Sequence, residues 1–298
     1  MINPTAYAPH EALAAPARHT AQVWRLVVGV ILIAGVFLLS YQFLEQTLFT
    51  LLGAEGFARL TGADGGTSQL SVLFLLFSFG LIIFSVIVAL RVAHHRGFLD
   101  VLGDLRLFVQ QFLAVLVMMV ILYVALALLP PWGMEEPLEP NVSFGSWLLV
   151  LPFALMAVLV QVSAEEILFR GYLQQQLAAR FASPLIWIGA PAALFGFGHY
   201  TPQVGELAMV IALWSALFGI AMADLTARAG TLGPAIALHF VNNVIAILII
   251  SMPDGLSGLS LYHSPFGMSD QAAVRAWMPV EFMMIFVGWL AARLAIRR

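Results

Sequence analysis

The chain of 298 residues contains no cysteine and no lysine, so its 13 lysine-or-arginine positions are all arginines. Without cysteine the chain can form no disulfide bond, no thiolate metal site and no cysteine nucleophile. Any catalysis must therefore use carboxylate, imidazole or hydroxyl groups, or a metal ion that such groups hold.

Charge of either sign is also scarce. Only 10% of the residues are charged and 61% are apolar, whereas roughly 25% of the residues of a soluble domain are charged. This composition predicts a polytopic membrane protein whose first partner is the lipid bilayer. The sequence has no stripe of basic residues, so we expect no nucleic-acid partner.

Long apolar segments are abundant, and about 20 apolar residues suffice to span the hydrocarbon core of a bilayer. We predict an all-α protein with about eight transmembrane helices. They lie near residues 22–44, 70–92, 107–130, 146–165, 185–200, 206–228, 232–252 and 278–296. The first segment follows an Ala-rich start without a basic n-region, so it is predicted to be a retained span and not a signal peptide.

The arginines predict the orientation, because positively charged loops stay on the cytoplasmic side of a membrane. Alternating the loops leaves only Arg59 and Arg275 on the outer side and places most other arginines on the inner side. Residues 1–21 then form a cytoplasmic N-terminal tail, and residues 22–298 form a single transmembrane domain with its motif core at about 146–252. Both termini are predicted to be cytoplasmic, and the cytoplasmic (inner) membrane of a bacterium is the expected location.

Ionisable residues inside apolar spans are costly, so by default they do chemistry or move an ion. The fourth predicted helix ends in Glu165-Glu166-x-x-x-Arg170. Glu166 and Arg170 are four residues apart with the acid first, which favours an ion pair on one helix face. Glu165 points about 100° away from that face, so we expect it to lack a local partner and to be free to act as a base.

Two further motifs bring histidine into the apolar segments that follow. Phe195-x-x-x-His199 and His239-x-x-x-Asn243 each place their two named residues on one face of a helix. A single histidine in a membrane helix is more often a hydrogen-bonded core residue than a ligand. Two histidines together with a carboxylate and an amide instead indicate one functional site within the membrane domain.

In this order the three motifs resemble the CPBP family of intramembrane proteases, also called the Abi or CAAX-protease-like family. The resemblance runs from Glu165 to Asn243, and no motif position departs from the family pattern. It implies that Glu165 is the catalytic glutamate and that Glu166 and Arg170 support it. The rest of the implied site consists of His199, His239 and Asn243.

The resemblance also implies an activity, which is hydrolysis of a peptide bond in a membrane-associated or lipidated protein or peptide. Eukaryotic members remove the C-terminal tripeptide of prenylated proteins, whereas prokaryotic members include peptide-maturation and bacteriocin self-immunity proteins. The sequence selects neither a substrate nor an oligomeric state.

Two mechanisms are compatible with these residues. In the first, His199, His239 and Glu165 bind a Zn²⁺-like ion, and water completes the metal site. In the second, Glu165 and one histidine activate water without a metal, while the other imidazole and Asn243 hold the oxyanion. The usual His-Glu-x-x-His zinc signature is absent, and the sequence leaves both mechanisms open.

Two functions of other classes are also open. In a proton-coupled transporter, intramembrane acids would relay protons across the bilayer. The residues of such a relay would be Glu165, Arg170, Asp224 and Glu281. In a non-catalytic membrane scaffold or immunity protein, the motifs would serve as structure alone. Asp224 and Glu281 lie near the ends of their helices, so we expect them to be solvated or interfacial groups.

The turn between the Glu165 helix and the His199 helix is expected to project into the cytoplasm. Three consecutive glutamines at residues 174–176 and the nearby Arg180 lie close to this turn. Their polarity is what a segment in water requires.

Overall fold

The structure is a computed structural model that describes residues 4–63, 67–129 and 137–298. The α-helices are α1 (Glu11–Ala14), α2 (Val23–Thr61), α3 (Gln69–Ser78), α4 (Gly80–His94), α5 (Leu105–Leu128), α6 (Phe144–Glu166), α7 (Gln174–Arg180), α8 (Pro184–Trp187), α9 (Gly189–Gly198), α10 (Leu207–Ala229), α11 (Gly233–Val244) and α12 (Gln271–Ala295). Two π-helical segments, Ile167–Leu173 and Ile245–Ile249, continue α6 and α11. Short 3₁₀ turns occupy Pro4–His10, Ala15–Thr20, Leu99–Val101, Pro202–Val204 and Ser257–Leu259.

Within the described residues, six helical stretches are long and apolar enough to cross a membrane. They are Val23–Thr61, Gln69–His94, Leu105–Leu128, Phe144–Arg180, Leu207–Ala229 and Gln271–Ala295. The other two predicted spans, Pro184–Gly198 and Gly233–Ile249, are shorter apolar helices. Large apolar side chains such as Leu39, Phe43 and Leu149 are exposed on the long helices, as expected of a surface that contacts lipid. The predicted all-α, polytopic membrane fold is confirmed.

Two helices are longer than the apolar pattern predicts. α2 continues well past its apolar part, bends at Gly53 (φ 67°, ψ 176°) and ends at Gly62, whose φ of 71° is the left-handed cap that favours glycine. The fourth predicted helix continues through the π-helical segment and α7 as far as Arg180. Most of its charged and amide side chains do not end the helix, because they have hydrogen-bond partners inside the protein.

A small three-stranded sheet joins two connections between helices. Its strands are β1 (Glu139–Pro140), β2 (Ile250–Ser251) and β3 (Tyr262–His263), in the order β1-β3-β2. β1 and β3 pair antiparallel, and β2 and β3 pair parallel. Asn141, which follows β1, donates from Nδ2 to the carbonyl oxygens of Ser257 and Ser260. The sheet thus fixes the start of α6 relative to the segment that follows α11.

The N-terminal segment, defined here as residues 4–20, packs against the body of the protein. Leu13 and Ala17 are fully buried. The His10 ring stacks on the Trp187 indole with ring centroids 4.9 Å apart and an interplanar angle of 23°. The side chains of this segment therefore cover the end of α8.

Asp224 of α10 links the N-terminal segment to two helices. It accepts hydrogen bonds from Tyr7 Oη at 2.7 Å, from Arg228 Nε at 2.8 and 2.9 Å, and from Trp289 Nε1 at 2.9 Å. Burial and the neighbouring Asp224 raise the pKa of Tyr7 to about 12, so Tyr7 keeps its proton and stays a donor. The expectation that Asp224 is a solvated or interfacial group is wrong, since it is only 7% exposed.

The three glutamines that begin α7 are buried, with exposed fractions of 0 to 2%. Gln174 donates from Nε2 to the Ala223 carbonyl at 3.0 Å, and Gln175 donates from Nε2 to the Val101 carbonyl at 2.8 Å. The expectation that these glutamines face water is therefore wrong. The amides of Gln174 and Gln175 instead satisfy carbonyl oxygens of neighbouring segments.

His10 gives the N-terminal segment a dependence on pH. Both of its ring nitrogens are buried without a hydrogen-bond partner, and burial lowers its pKa from 6.5 to about 4. The folded state thus favours the neutral ring, and its stability is complete above pH 6.5 and falls as the pH drops from 6.5 towards 4. The full loss amounts to about 3 kcal/mol. Hydrogen exchange of residues 4–20 at pH 7.5 and pH 5 should show much faster opening at the lower pH.

His10→Phe is the matched control for this prediction. Phenylalanine keeps an aromatic ring against Trp187 but has no nitrogen to protonate. We expect the variant to open at the same rate at both pH values and to be more stable than the wild type, because an unsatisfied buried polar group is removed. If the variant shows the same acid-induced opening as the wild type, His10 is not the cause.

Candidate active site

One oxygen of the buried Glu166 carboxylate receives two donors. Arg170 donates from Nη1 to Glu166 Oε1 at 3.0 Å, and His239 of α11 lies with Nδ1 2.7 Å from the same oxygen. Because a carboxylate only accepts hydrogen bonds, Nδ1 of His239 carries the proton and donates. If the ring is neutral, its Nε2 atom is then an acceptor. The ion pair expected from the spacing of Glu166 and Arg170 is thus present, and it also orients His239.

Arg170 also contacts two other helices, α10 and α9. Its Nη2 atom donates to the carbonyl oxygen of Gly219 in α10 at 3.1 Å. Its guanidinium lies over the Phe195 ring of α9, 4.9 Å from the ring centroid, within the range of a cation–π contact. A β-carbon at Gly219 would lie 3.3 Å from Arg170 Nη2 and 3.1 Å from the Ala192 Cα. Glycine at this position therefore lets α9, α10 and the guanidinium approach closely.

Two of the three helices that carry motif residues, α6 and α11, change to π-helical geometry within or just after the motif. The first π segment begins at Ile167, directly after Glu166, and contains Arg170. The second begins at Ile245, two residues after Asn243. A π turn shifts the direction in which the following side chains point, and such turns occur frequently at functional sites.

Glu165 faces the other side of His239. Its Oε2 atom lies 3.6 Å from His239 Nε2, and its side chain is 12% exposed. Its Oε1 atom accepts a hydrogen bond from Gln161 Nε2 at 2.7 Å. The expectation that Glu165 lacks a local partner is therefore wrong, because Gln161 lies one turn earlier on the same face of α6.

The sequence motifs did not identify Gln161 as a site residue. It also accepts a hydrogen bond from Asn243 Nδ2 at 2.8 Å, and Asn243 accepts one from Asn242 Nδ2 at 3.2 Å. Asn243 is therefore linked to Glu165 by hydrogen bonds through Gln161. The available signal was an amide four residues before Glu165 in an apolar helix, a spacing that places both on one face.

His199 lies at the end of α9 and is exposed. Its Nδ1 atom is 2.8 Å from the Phe195 carbonyl oxygen, and since a carbonyl only accepts, Nδ1 carries a proton. The His199 ring packs against the Phe195 ring with centroids 4.5 Å apart, and the Phe195 and His239 centroids are 6.3 Å apart. Phe195 thus lies between the two histidines.

The three residues predicted to bind a metal form no metal site in the described part of the chain. Within the part of the chain that the structure describes, no group of three or more histidine, aspartate and glutamate side chains is placed to hold a metal ion. Of the three predicted ligands, Glu165 and His239 are in contact, while the hydrogen bond of His199 stays within its own helix. Because a catalytic zinc ion needs three protein ligands at about 2 Å, we derive no step through a metal.

This cluster lies in a segment of the chain that is similar to known proteins. Residues 146–245 match the model of the family described as type II CAAX prenyl endopeptidase, Rce1-like. The uncharacterized protein YyaK of Bacillus subtilis (strain 168) is 30% identical over 121 residues, which is 40% of this chain and 40% of that protein. No solved structure matches the chain.

All six predicted site residues, and Gln161 as well, fall within the matched segment. The relative and the chain align over less than half of the length of either. Residues 146–245 thus match an Rce1-like domain, and the resemblance to the CAAX-protease-like family that the three motifs indicated is confirmed over this segment.

Proposed function

We propose that the protein is an intramembrane endopeptidase of the CAAX type in which Glu165 is the general base. The observation that carries the proposal is the position of Glu165 Oε2, 3.6 Å from His239 Nε2. With Glu165 ionised and the His239 ring neutral, both atoms are acceptors, and they can share one water molecule that donates one hydrogen bond to each. The lone pairs of that water are then free to attack a carbonyl carbon.

The proton movements follow from this arrangement. The water oxygen bonds to the carbonyl carbon of the substrate while Glu165 takes one of its protons, and the carbonyl oxygen becomes an oxyanion. Glu165 then passes the proton to the departing nitrogen, and the carbon–nitrogen bond breaks. The products are a carboxylic acid and an amine. His239 keeps its Nδ1 proton on Glu166 throughout and serves to orient the water.

His199 is the group to which we assign the oxyanion. Its Nδ1–H donates to the Phe195 carbonyl, which leaves its Nε2 for a contact with the substrate. In the protonated ring Nε2 is also a donor, and its positive charge favours the developing negative charge of the oxyanion. Its exposure leaves it accessible to a substrate entering from outside the helix bundle.

The activity is expected to survive removal of metal ions. Purified protein that has been dialysed against a strong chelator should hold less than stoichiometric metal by elemental analysis and should retain its cleavage rate. The reason is that the described carboxylates and imidazoles form no three-ligand cluster. Loss of activity on chelation, with recovery on adding Zn²⁺, would instead support the mechanism in which His199, His239 and Glu165 hold a metal.

We propose a prenylated protein or peptide with a C-terminal Cys-aliphatic-aliphatic-X sequence as the substrate class. The support is the family match to CAAX prenyl endopeptidases and a surface of exposed apolar side chains that places the protein where such lipids reside. The test uses purified protein in lipid nanodiscs with labelled peptides, one farnesylated and one unmodified. Cleavage after the modified cysteine supports the proposal, and cleavage of neither peptide contradicts this substrate class.

A further inference from the structure

A chain of three amide side chains ends on the carboxylate of Glu165. Asn242 donates to Asn243 Oδ1 at 3.2 Å, Asn243 donates to Gln161 Oε1 at 2.8 Å, and Gln161 donates to Glu165 Oε1 at 2.7 Å. These hydrogen bonds run from Asn242 and Asn243 near the end of α11 to Gln161 and Glu165 in the last turns of α6. It involves no residue of the Glu166 ion pair, so it is a second and separate support for the site.

The direction of these hydrogen bonds is dictated by the carboxylate. Ionised Glu165 can only accept, so Gln161 must turn its NH₂ group towards it and its oxygen away. That oxygen then requires a donor, and Asn243 must present its NH₂ group in turn. All three amide dipoles thus point their positive ends towards Glu165, and hydrogen bonds aligned in one chain strengthen one another.

This arrangement fixes the orientation of the general base. One oxygen of Glu165 is held by Gln161 at 2.7 Å, which leaves Oε2 directed at His239 Nε2. Gln161 itself is only 7% exposed, and its two hydrogen bonds use both ends of its amide. Without it, Glu165 would be free to rotate about its side-chain bonds, and a displacement of about 1 Å at a reacting group is costly to rate.

We propose that Gln161 is a positioning residue for Glu165 and that Asn243 acts through Gln161 rather than on the oxyanion. The inference rests on the proposed function, because it concerns how the proposed base is held. It changes the role of Asn243 and adds to the site a residue that lies outside the three motifs.

The test compares kcat and KM of the single variants Gln161→Leu, Gln161→Glu and Asn243→Ala and of one double variant, in nanodiscs with the farnesylated peptide. Gln161→Leu removes both ends of the amide, while Gln161→Glu keeps the shape and an oxygen for Asn243 but loses the N–H donor. Both are expected to lower kcat about 10- to 100-fold with KM unchanged, because the substrate does not touch Gln161. The double variant Gln161→Leu/Asn243→Ala should lose no more than the more impaired single variant, since the two residues act in series.

Gln174→Leu is the matched control. Gln174 is a buried glutamine on the same continuous helical stretch, donates to the Ala223 carbonyl and makes no contact with Glu165. We expect it to lower thermal stability about as much as Gln161→Leu does while leaving kcat unchanged. A purely structural role for Gln161 would make the two variants behave alike.

Three results would overturn the inference. The first is a wild-type kcat for Gln161→Glu, and the second is a loss of kcat in Gln161→Leu no larger than in the control. The third is a loss of kcat in the double variant that equals the product of the two single losses, which would show that Asn243 acts independently. Failure of the proposed function is recognised separately, by a Glu165→Gln variant that cleaves as fast as the wild type. That result removes the base that Gln161 is proposed to position, and so overturns the inference as well.

Discussion

Replacing Glu165 with glutamine is expected to lower kcat at least about 10²- to 10⁴-fold, the contribution typical of a general base. Glutamine has nearly the same shape and can still accept the hydrogen bond from Gln161 through its amide oxygen. It cannot take a proton from water at the operating pH. The measurement is the single-turnover rate of peptide cleavage in nanodiscs, with KM determined alongside.

The fold of the Glu165→Gln variant should stay intact, which separates loss of chemistry from loss of structure. Glu165 makes no ion pair with Arg170 through its own carboxylate, and that pair belongs to Glu166. The melting temperature of the variant should therefore lie close to that of the wild type. A variant that retains more than a tenth of the wild-type rate would show that another group activates the water.

Arg170→Met is expected to destabilise the protein by about 3–5 kcal/mol, the range seen when one partner of a buried ion pair is removed. The side chains of Arg170 and Glu166 are 1% and 0% exposed, so the remaining carboxylate is left in an apolar interior. The Gly219 carbonyl also loses its donor. Denaturant-induced unfolding in mixed micelles measures the change in the free energy of unfolding.

Arg59→Met is the matched control, since Arg59 forms an ion pair with Glu55 at the same i,i+4 spacing on an exposed surface. Exposed pairs contribute only about 0–1 kcal/mol, so this variant should be nearly as stable as the wild type. Equal destabilisation in Arg170→Met and Arg59→Met would contradict the account of the buried pair.

The double variant Glu166→Met/Arg170→Met distinguishes stability from function. Replacing a buried pair by apolar side chains of similar size is often neutral, so much of the stability lost in Arg170→Met should return. Activity should not return, because His239 then has no carboxylate to hold its Nδ1 proton and orient its ring. A stable double variant with wild-type activity would show that Glu166 has no part in orienting His239.

Much of the fold follows from composition and apolar periodicity. The positions of the long helices were predictable because hydrocarbon requires continuous apolar segments with internally satisfied backbone. The Glu166–Arg170 pair was predictable because i,i+4 spacing is a local property of one helix. The role of Glu166 in holding His239 was not, because it depends on how α11 packs against α6.

The buried polar residues show where sequence reasoning fails. The glutamines of α7 and Asp224 were expected to face water because polar side chains usually do. They are instead covered by segments distant in the sequence. Asp224, for example, accepts a hydrogen bond from Tyr7, which is 217 positions away. A single sequence carries no signal for such partners, since each hydrogen bond depends on tertiary packing.

The most direct test of the central claim is proteomics of membrane fractions from host cells that express either the wild type or Glu165→Gln. Quantifying the C-terminal and N-terminal peptides of membrane-associated proteins reveals the cut and uncut forms of each candidate substrate. The account predicts that at least one precursor accumulates uncut with Glu165→Gln, while its shortened form appears only with the wild type. Identical peptide profiles in cells expressing the two proteins at equal levels would contradict the claim that Glu165 drives proteolysis.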